Sequence, residues 1–148
     1  MDLSKAFSMI KQYEGLRLKA YPDPASGGVP WTIGYGTTDI NGLPVRSGMV
    51  CMPEQALAWM ESDASKMATK IQGWLERTVT DNEMSALISL AYNIGLGGLY
   101  HSQVLADIND GLAPKVCADA FMHFIHAAGK INQGLINRRK EEMAVFLS

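Results

Sequence analysis

Residues Glu14 to Thr38 read EGLRLKAYPDPASGGVPWTIGYGTT, and the reading of the fold turns on this stretch. Upstream of it Leu3, Phe7 and Ile10 recur at helical spacing and mark one buried stripe, which the 3.6-residue period carries on to Glu14. An acid is thus aimed where the helix buries its apolar face. Gly15 then stops the helix, as a C-terminal glycine often does. From Leu16 to about Tyr35 the helical period vanishes. Leu16, Leu18 and Ala20, then Val29, Trp31, Ile33 and Tyr35, alternate around Pro22, Pro24, Gly27, Gly28 and Pro30, which predicts a hairpin or small three-strand sheet turning at residues 23 to 28.

Beyond this stretch the pattern is helical almost throughout. Thr37 to Met52, with Gly42, Pro44 and Gly48, reads as connecting loop. Pro53 suits the first position of a helix, with Glu54 in its first turn. Leu57, Met60, Ala64, Met67, Ile71 and Trp74 then repeat at three and four residues, predicting a helix of about 22 residues, on the order of 33 Å. Thr80 to Glu83 fits a capping box that opens a helix with the stripe Met84, Leu87, Ile88 and Ala91, ended by Gly95, Gly97 and Gly98. Further helices are expected near Ser102 to Asn109, from Pro114 to about Ala127, and from about Leu135 to Leu147, punctuated by Gly111 and Gly129. The plan is mainly α with one small β element near the N-terminus.

A chain of 148 residues with 47% apolar residues buries enough surface to fold as one domain without staples. Its formal net charge of −2 supplies no basic field, and its cations form no patch interleaved with aromatics, so nucleic acid is not expected as a partner. The N-terminal MDLSKAFSMIKQYEG has no apolar signal-peptide core, and no window approaches the roughly 20 apolar residues of a membrane span. Expression in the cytoplasm with no stable membrane association is the expectation. Cys51 and Cys117 are too few for a disulfide framework and sit among apolar neighbours as buried thiols. Nine methionines, mostly at stripe positions such as Met60, Met67 and Met84, read as core filling.

Glu14 and Asp23 lie nine positions apart, one ending a helix and one beside a proline-glycine turn. Glycoside hydrolysis needs such a pair, because one carboxyl must give a proton to the leaving oxygen while the other, ionised, activates water or attacks carbon. An apolar stripe favours the protonated form and a polar turn the ionised one, which assigns Glu14 as acid and Asp23 as base or nucleophile. Against this stands the ordinary occurrence of Glu at helix ends and Asp in turns.

The order E-G-L-R-L-K-x-Y-x-D, a turn, then T-I-G-Y-G resembles the phage lysozymes of glycoside hydrolase family 24, the endolysins similar to the lysozyme of T-even phages. Glu14, Asp23 and Thr32 match that family's acid, aspartate and threonine. Residues 82 to 95, NEMSALISLAYNIG, resemble its central helix, and GLINRRKEE at 134 to 142 resembles its C-terminal G-L-x-N-R-R-x-x-E. The resemblance implies an α+β, lysozyme-like, mainly helical fold with a cleft between its lobes: a small lobe at about 14–52, a connecting helix at about 53–77, and a helical lobe at about 78–148 that takes in the N-terminal helix. It implies a peptidoglycan muramidase, inverting and monomeric, that needs no cofactor, waits in the host cytoplasm, and reaches the wall through a lesion made by a holin. Glu14 would be the acid, Asp23 would position the attacking water, and Thr32 would hold that water. Asn93 would contact the glycan. Arg138 would serve the substrate site by facing Glu14, with Arg139 and Lys140 left to Glu141 and Glu142 as a solvated surface.

Two departures from the family pattern stand out. Eight residues separate Asp23 from Thr32 where the family usually has five, with Ser26, Gly27 and Gly28 the insertion. Thr37 stands where many members have a histidine, whose role is dispensable or passes to Thr37 or Thr38. A lytic transglycosylase needs an acid but no base for water, so Asp23 and Thr32 argue against it. A non-catalytic glycan-binding or virion module on the same fold would have no reason to keep Glu14, Asp23 and Thr32 together. Asp119, His123 and His126 fall on one face of the helix expected from Pro114, but histidines beside Phe121 and Phe124 are ordinary packing or surface residues, and no metal is expected.

Overall fold

A computed structural model describes residues 1–148, with seven α-helices, one 3-10 turn and six short strands in three antiparallel pairs. Contacts divide the chain into two compact units, Ile10–Ser65 and a second made of Met1–Met9 with Lys66–Ser148. The divisions fall inside helices, α1 at Ser4–Glu14 and α2 at Pro53–Trp74.

In the unit Ile10–Ser65, strand β1 (Arg17–Tyr21) pairs antiparallel with β2 (Thr32–Gly34), Tyr21 opposite Thr32 and Arg17 opposite Gly34, with an irregularity between the two pairs. The other edge of β1 bonds residues 49 to 51, through Ala20 N–H to Met49 O and Cys51 N–H to Leu18 O, both at 2.9 Å, and Lys19 bridges Val50. The anticipated small sheet is therefore present. One of its faces closes over Ile33, Val45, Cys51 and Ala56, with Ala20, Trp31, Tyr35, Ile40, Met49 and Trp59 packed around them. Gly34 has φ +68° and lies so close to α2 that an added Cβ would stand 3.0 Å from the Ala56 Cβ.

The stretch expected as loop, Thr37 to Met52, holds a second hairpin, β3 (Asp39–Ile40) with β4 (Leu43–Pro44). Asn41 and Gly42 take φ +53° and +85°, the paired left-handed conformation of a two-residue hairpin turn, and Asp39 Oδ1 accepts the Gly42 N–H at 2.8 Å.

In the other unit, α3 (Asp81–Ile94) is buried over Met84 to Ala91 without a break, as a helix enclosed on all sides must be. Its capping box forms as read: Thr80 Oγ1 accepts the Glu83 N–H at 3.0 Å, and Glu83 Oε1 accepts the Thr80 N–H at 3.4 Å. Gly95 caps the far end at φ +90°, which ends α3 as expected, and Gly97 and Gly98 fall inside a short α4 (Leu96–Tyr100) that follows. Next comes α5 (Gln103–Asn109), capped by the Ser102 hydroxyl on the Leu105 N–H.

The helix expected from Pro114 to about Ala127 is shorter. The helix α6 (Pro114–Asp119) tightens into a 3-10 turn over Ala120–His123, and a third hairpin, β5 (His126–Ala127) with β6 (Lys130–Ile131), takes its place. Ala128 and Gly129 make its turn at φ +51° and +77°. Asp119, His123 and His126 thus lie on three different elements and share no helical face. The last helix, α7 (Gln133–Phe146), starts where the Asn132 side chain accepts the Leu135 N–H, and it packs on α3. The thiols of Cys51 and Cys117 are free and buried. No helix is long and apolar enough to cross a membrane.

Candidate active site

Glu14 is the last residue of α1. Gly15, at φ +70°, gives its N–H to Lys11 O at 3.3 Å and turns the chain into β1, so the helix delivers the acid at its very end, half-buried and engaged by other groups of the chain. Asp23 stands two residues past the end of β1 and Thr32 opens β2 opposite Tyr21, so the aspartate and the threonine sit on the two arms of one hairpin. The Arg17 guanidinium covers the Tyr21 ring at 4.4 Å, holding the arm that leads to Asp23.

The longer turn between Asp23 and Thr32 is tied down rather than loose. Asp23 N–H donates to Gly28 O at 2.9 Å and Gly27 N–H to Asp23 O at 2.7 Å. The Asp23 carboxylate accepts the Ala25 N–H through Oδ1 at 3.3 Å. Ser26, part of the insertion, donates its hydroxyl to Val29 O at 2.9 Å and accepts the Gly28 N–H at 3.3 Å. The inserted residues therefore close the turn on the aspartate itself. Thr37 is 1% exposed; its backbone exchanges two hydrogen bonds with Ile33, and its hydroxyl is buried with no partner in the chain. Thr38 is exposed and contributes its carbonyl to the Val45 N–H.

Glu14, Asp23 and Thr32 all belong to the unit Ile10–Ser65, whereas Asn93 and Arg138 belong to the other. There the C-terminal R-R-x-x-E forms a buried ionic cluster, contrary to the solvated surface expected for Arg139 and Glu142. Arg138 is 3% exposed, and Arg139 and Glu142 are fully buried. Positions 138 and 139 stand four and three residues before Glu142 on α7, so both guanidinium groups reach one carboxylate. Arg138 Nε donates to Glu142 Oε2 at 3.3 Å and its Nη2 to Ser89 O at 3.1 Å. Arg139 engages both oxygens, with Nε 2.6 Å from Oε1, off the hydrogen-bond axis, and Nη2 donating to Oε2 at 3.1 Å. The Ser89 hydroxyl, from α3, donates to Oε2 at 2.6 Å. Burial pushes the Glu142 carboxyl up from the ordinary carboxylate range, against the pull of Arg139, Ser89 and Arg138. Arg139 Nη1 also donates to Asn93 Oδ1 at 2.9 Å and to Phe124 O at 3.1 Å, so the cluster ends on the exposed Asn93. Lys140 is exposed, as expected.

A mainly helical chain with small antiparallel hairpins, an acid closing its first helix and an aspartate and a threonine on the hairpin that follows defines a lysozyme-type fold; the phage lysozyme family model matches residues 11–142, and the chain belongs to that family. Among individual proteins it is similar to the endolysin of Bacillus phage PZA, 37% identical over 153 aligned residues that cover all of this chain and 56% of that protein. The chain thus spans a little over half the length of this relative. The endolysin of Salmonella phage P22 is 36% identical over 146 residues, 98% of this chain and 97% of that one. The solved endolysin from Escherichia coli O157:H7 phage FAHEc1 superposes with a TM-score of 0.84 at 38% identity, covering 100% of this chain and 94% of that one.

Proposed function

We propose that this protein is a phage endolysin, a bacteriolytic muramidase that hydrolyses the β-1,4 bond between N-acetylmuramic acid and N-acetylglucosamine in peptidoglycan during host cell lysis. What supports the reading is the single run from Glu14 to Thr32, in which the helix end carries the acid and the next hairpin carries Asp23 and Thr32 on its two arms. Glu14 gives its proton to the glycosidic oxygen as the C1–O bond breaks. Water, held by Thr32, attacks C1 from the opposite face and gives up its proton to Asp23, so the products are a reducing muramic end and a free hydroxyl on the neighbouring sugar. Exchange with solvent then returns both carboxyls to their starting states. With water between C1 and Asp23 the outcome is inversion, which calls for carboxyls roughly 6.5–9.5 Å apart. The same reading assigns Asn93 to the glycan and Arg138 to Glu14. It has the protein act as a monomer, without a cofactor, from the host cytoplasm, with a holin opening the way to the wall.

The test is digestion of purified peptidoglycan, with mass spectrometry of the released ends and proton NMR of the first-formed anomer. Reducing muramic ends in the α configuration are the expected products. Anhydromuramic ends would replace hydrolysis with transglycosylation, β-configured ends would replace inversion with retention, and binding without release would leave a glycan-binding module.

A further inference from the structure

We infer that Arg139 is a positioning residue: it locks the Asn93 amide with its NH2 group outward, so that Asn93 meets the substrate as a donor to one of its carbonyl oxygens. The inference rests on the muramidase reading above and adds to it the polarity of one contact and the residue that sets it.

A guanidinium offers donors only. That of Arg139 is fully buried, and its direction is fixed by both oxygens of Glu142 and by the Phe124 carbonyl, leaving one Nη1 hydrogen aimed at Asn93. Whatever faces that hydrogen must accept, so Asn93 turns Oδ1 inward at 2.9 Å. Rotating the amide by half a turn would set its NH2 against the guanidinium, two donors face to face at a buried group, which folded proteins avoid. Asn93 lies at the exposed end of α3. An exposed asparagine normally presents either end of its amide; this one presents N–H donors alone. The strong neutral acceptors of peptidoglycan are amide carbonyls, found in the acetamido groups of the sugars and in the stem peptide. Either source fits the same two donors.

Asn93→Asp separates the possibilities. It keeps the side-chain shape and an oxygen for Arg139, which gains an opposite charge, but it turns the outward group from donor to acceptor. Initial rates of reducing-end release would be measured for wild type, Asn93→Asp and Arg139→Lys on intact peptidoglycan, on glycan stripped of stem peptide by an amidase, and on de-N-acetylated peptidoglycan. On the intact substrate Asn93→Asp is expected to melt no lower than wild type and to raise KM about tenfold with kcat nearly unchanged, the signature of lost binding common to ground and transition state. Arg139→Lys, which keeps the charge but not the fork, is expected to raise KM in the same direction.

If the acetamido carbonyl is read, the gap between wild type and Asn93→Asp closes on de-N-acetylated peptidoglycan; if the stem-peptide carbonyl is read, it closes on the stripped glycan. A wild-type KM in Asn93→Asp on all three substrates overturns the inference, and so does a gap of equal size on all three. A wild-type KM in a folded Arg139→Lys removes the positioning role. A folded wild-type protein inert on every substrate overturns the muramidase reading, and this inference falls with it.

Discussion

Replacing Glu142 by glutamine removes one charge from a site that no water reaches, with almost no change of shape. The carboxylate takes three donors on Oε2, from the Ser89 hydroxyl, Arg138 Nε and Arg139 Nη2, and faces Arg139 Nε at 2.6 Å through Oε1. Glutamine has one oxygen. Its better orientation keeps that oxygen at the Oε2 position and sets the new NH2 against Arg139 Nε, donor against donor. Two buried guanidinium groups then lose the charge of the carboxylate they share. Breaking a buried ion pair from one side costs about 3–5 kcal/mol. At about 2–4 °C per kcal/mol for a chain of this size, the melting temperature should fall by roughly 6–20 °C. Thermal and urea unfolding of the two proteins measure it, and an unchanged urea m-value would show that the compared states are the same. A loss below about 1 kcal/mol, the worth of an exposed pair, would refute the claim that α7 is held to α3 through this carboxylate.

Three smaller perturbations test other parts of the fold. Thr80→Ala deletes the acceptor of the Glu83 N–H in the α3 capping box and should cost about 1 kcal/mol in urea titration. Gly34→Ala forces a left-handed alanine whose Cβ meets the Ala56 Cβ at 3.0 Å and its Cα at 3.3 Å, so the strain and overpacking together should cost about 2–5 kcal/mol by thermal melting. Burial pushes the Cys51 and Cys117 thiols up. As pH rises through the ordinary thiol range, the unfolded chain releases protons that the native one keeps, so native stability should fall there, and Cys117→Ala should flatten that fall in unfolding curves taken against pH.

Much of the fold was legible because its signals are local. The capping box at Thr80 to Glu83, the proline opening α2 and the glycine closing α1 each act within one turn of helix, and each formed as read. The hairpin at 39 to 44 was also written locally, in the Asn41-Gly42 turn, but two-residue strands leave too little alternation to register beside Gly42 and Pro44. The break of the Pro114 helix was not local in the same way: nothing in the Phe121 to Ala127 stretch forbids helix, and the turn at Ala128-Gly129 draws the chain into strand from the far side.

In the candidate site, the order of Glu14, Asp23 and Thr32 was readable, and the fold adds that the inserted Ser26 and Gly28 bond the turn closed around Asp23. The buried cluster was misread for a physical reason. A charged triplet at i, i+1 and i+4 looks the same on a surface as in a core, and what decides between them is the helix that packs against it. Here Ser89, inside the apolar run of α3, was the clue: a hydroxyl at an enclosed position wants a partner, and Glu142 supplies it at 2.6 Å.

The most direct test of the central claim is the rate of reducing-end release from purified peptidoglycan by wild type, Glu14→Gln and Asp23→Asn, each shown folded by its melting curve. Loss of activity in both variants, by a factor of about 100 or more, is the result expected if Glu14 donates the proton and Asp23 receives one from water. Wild-type rates in either folded variant would contradict it.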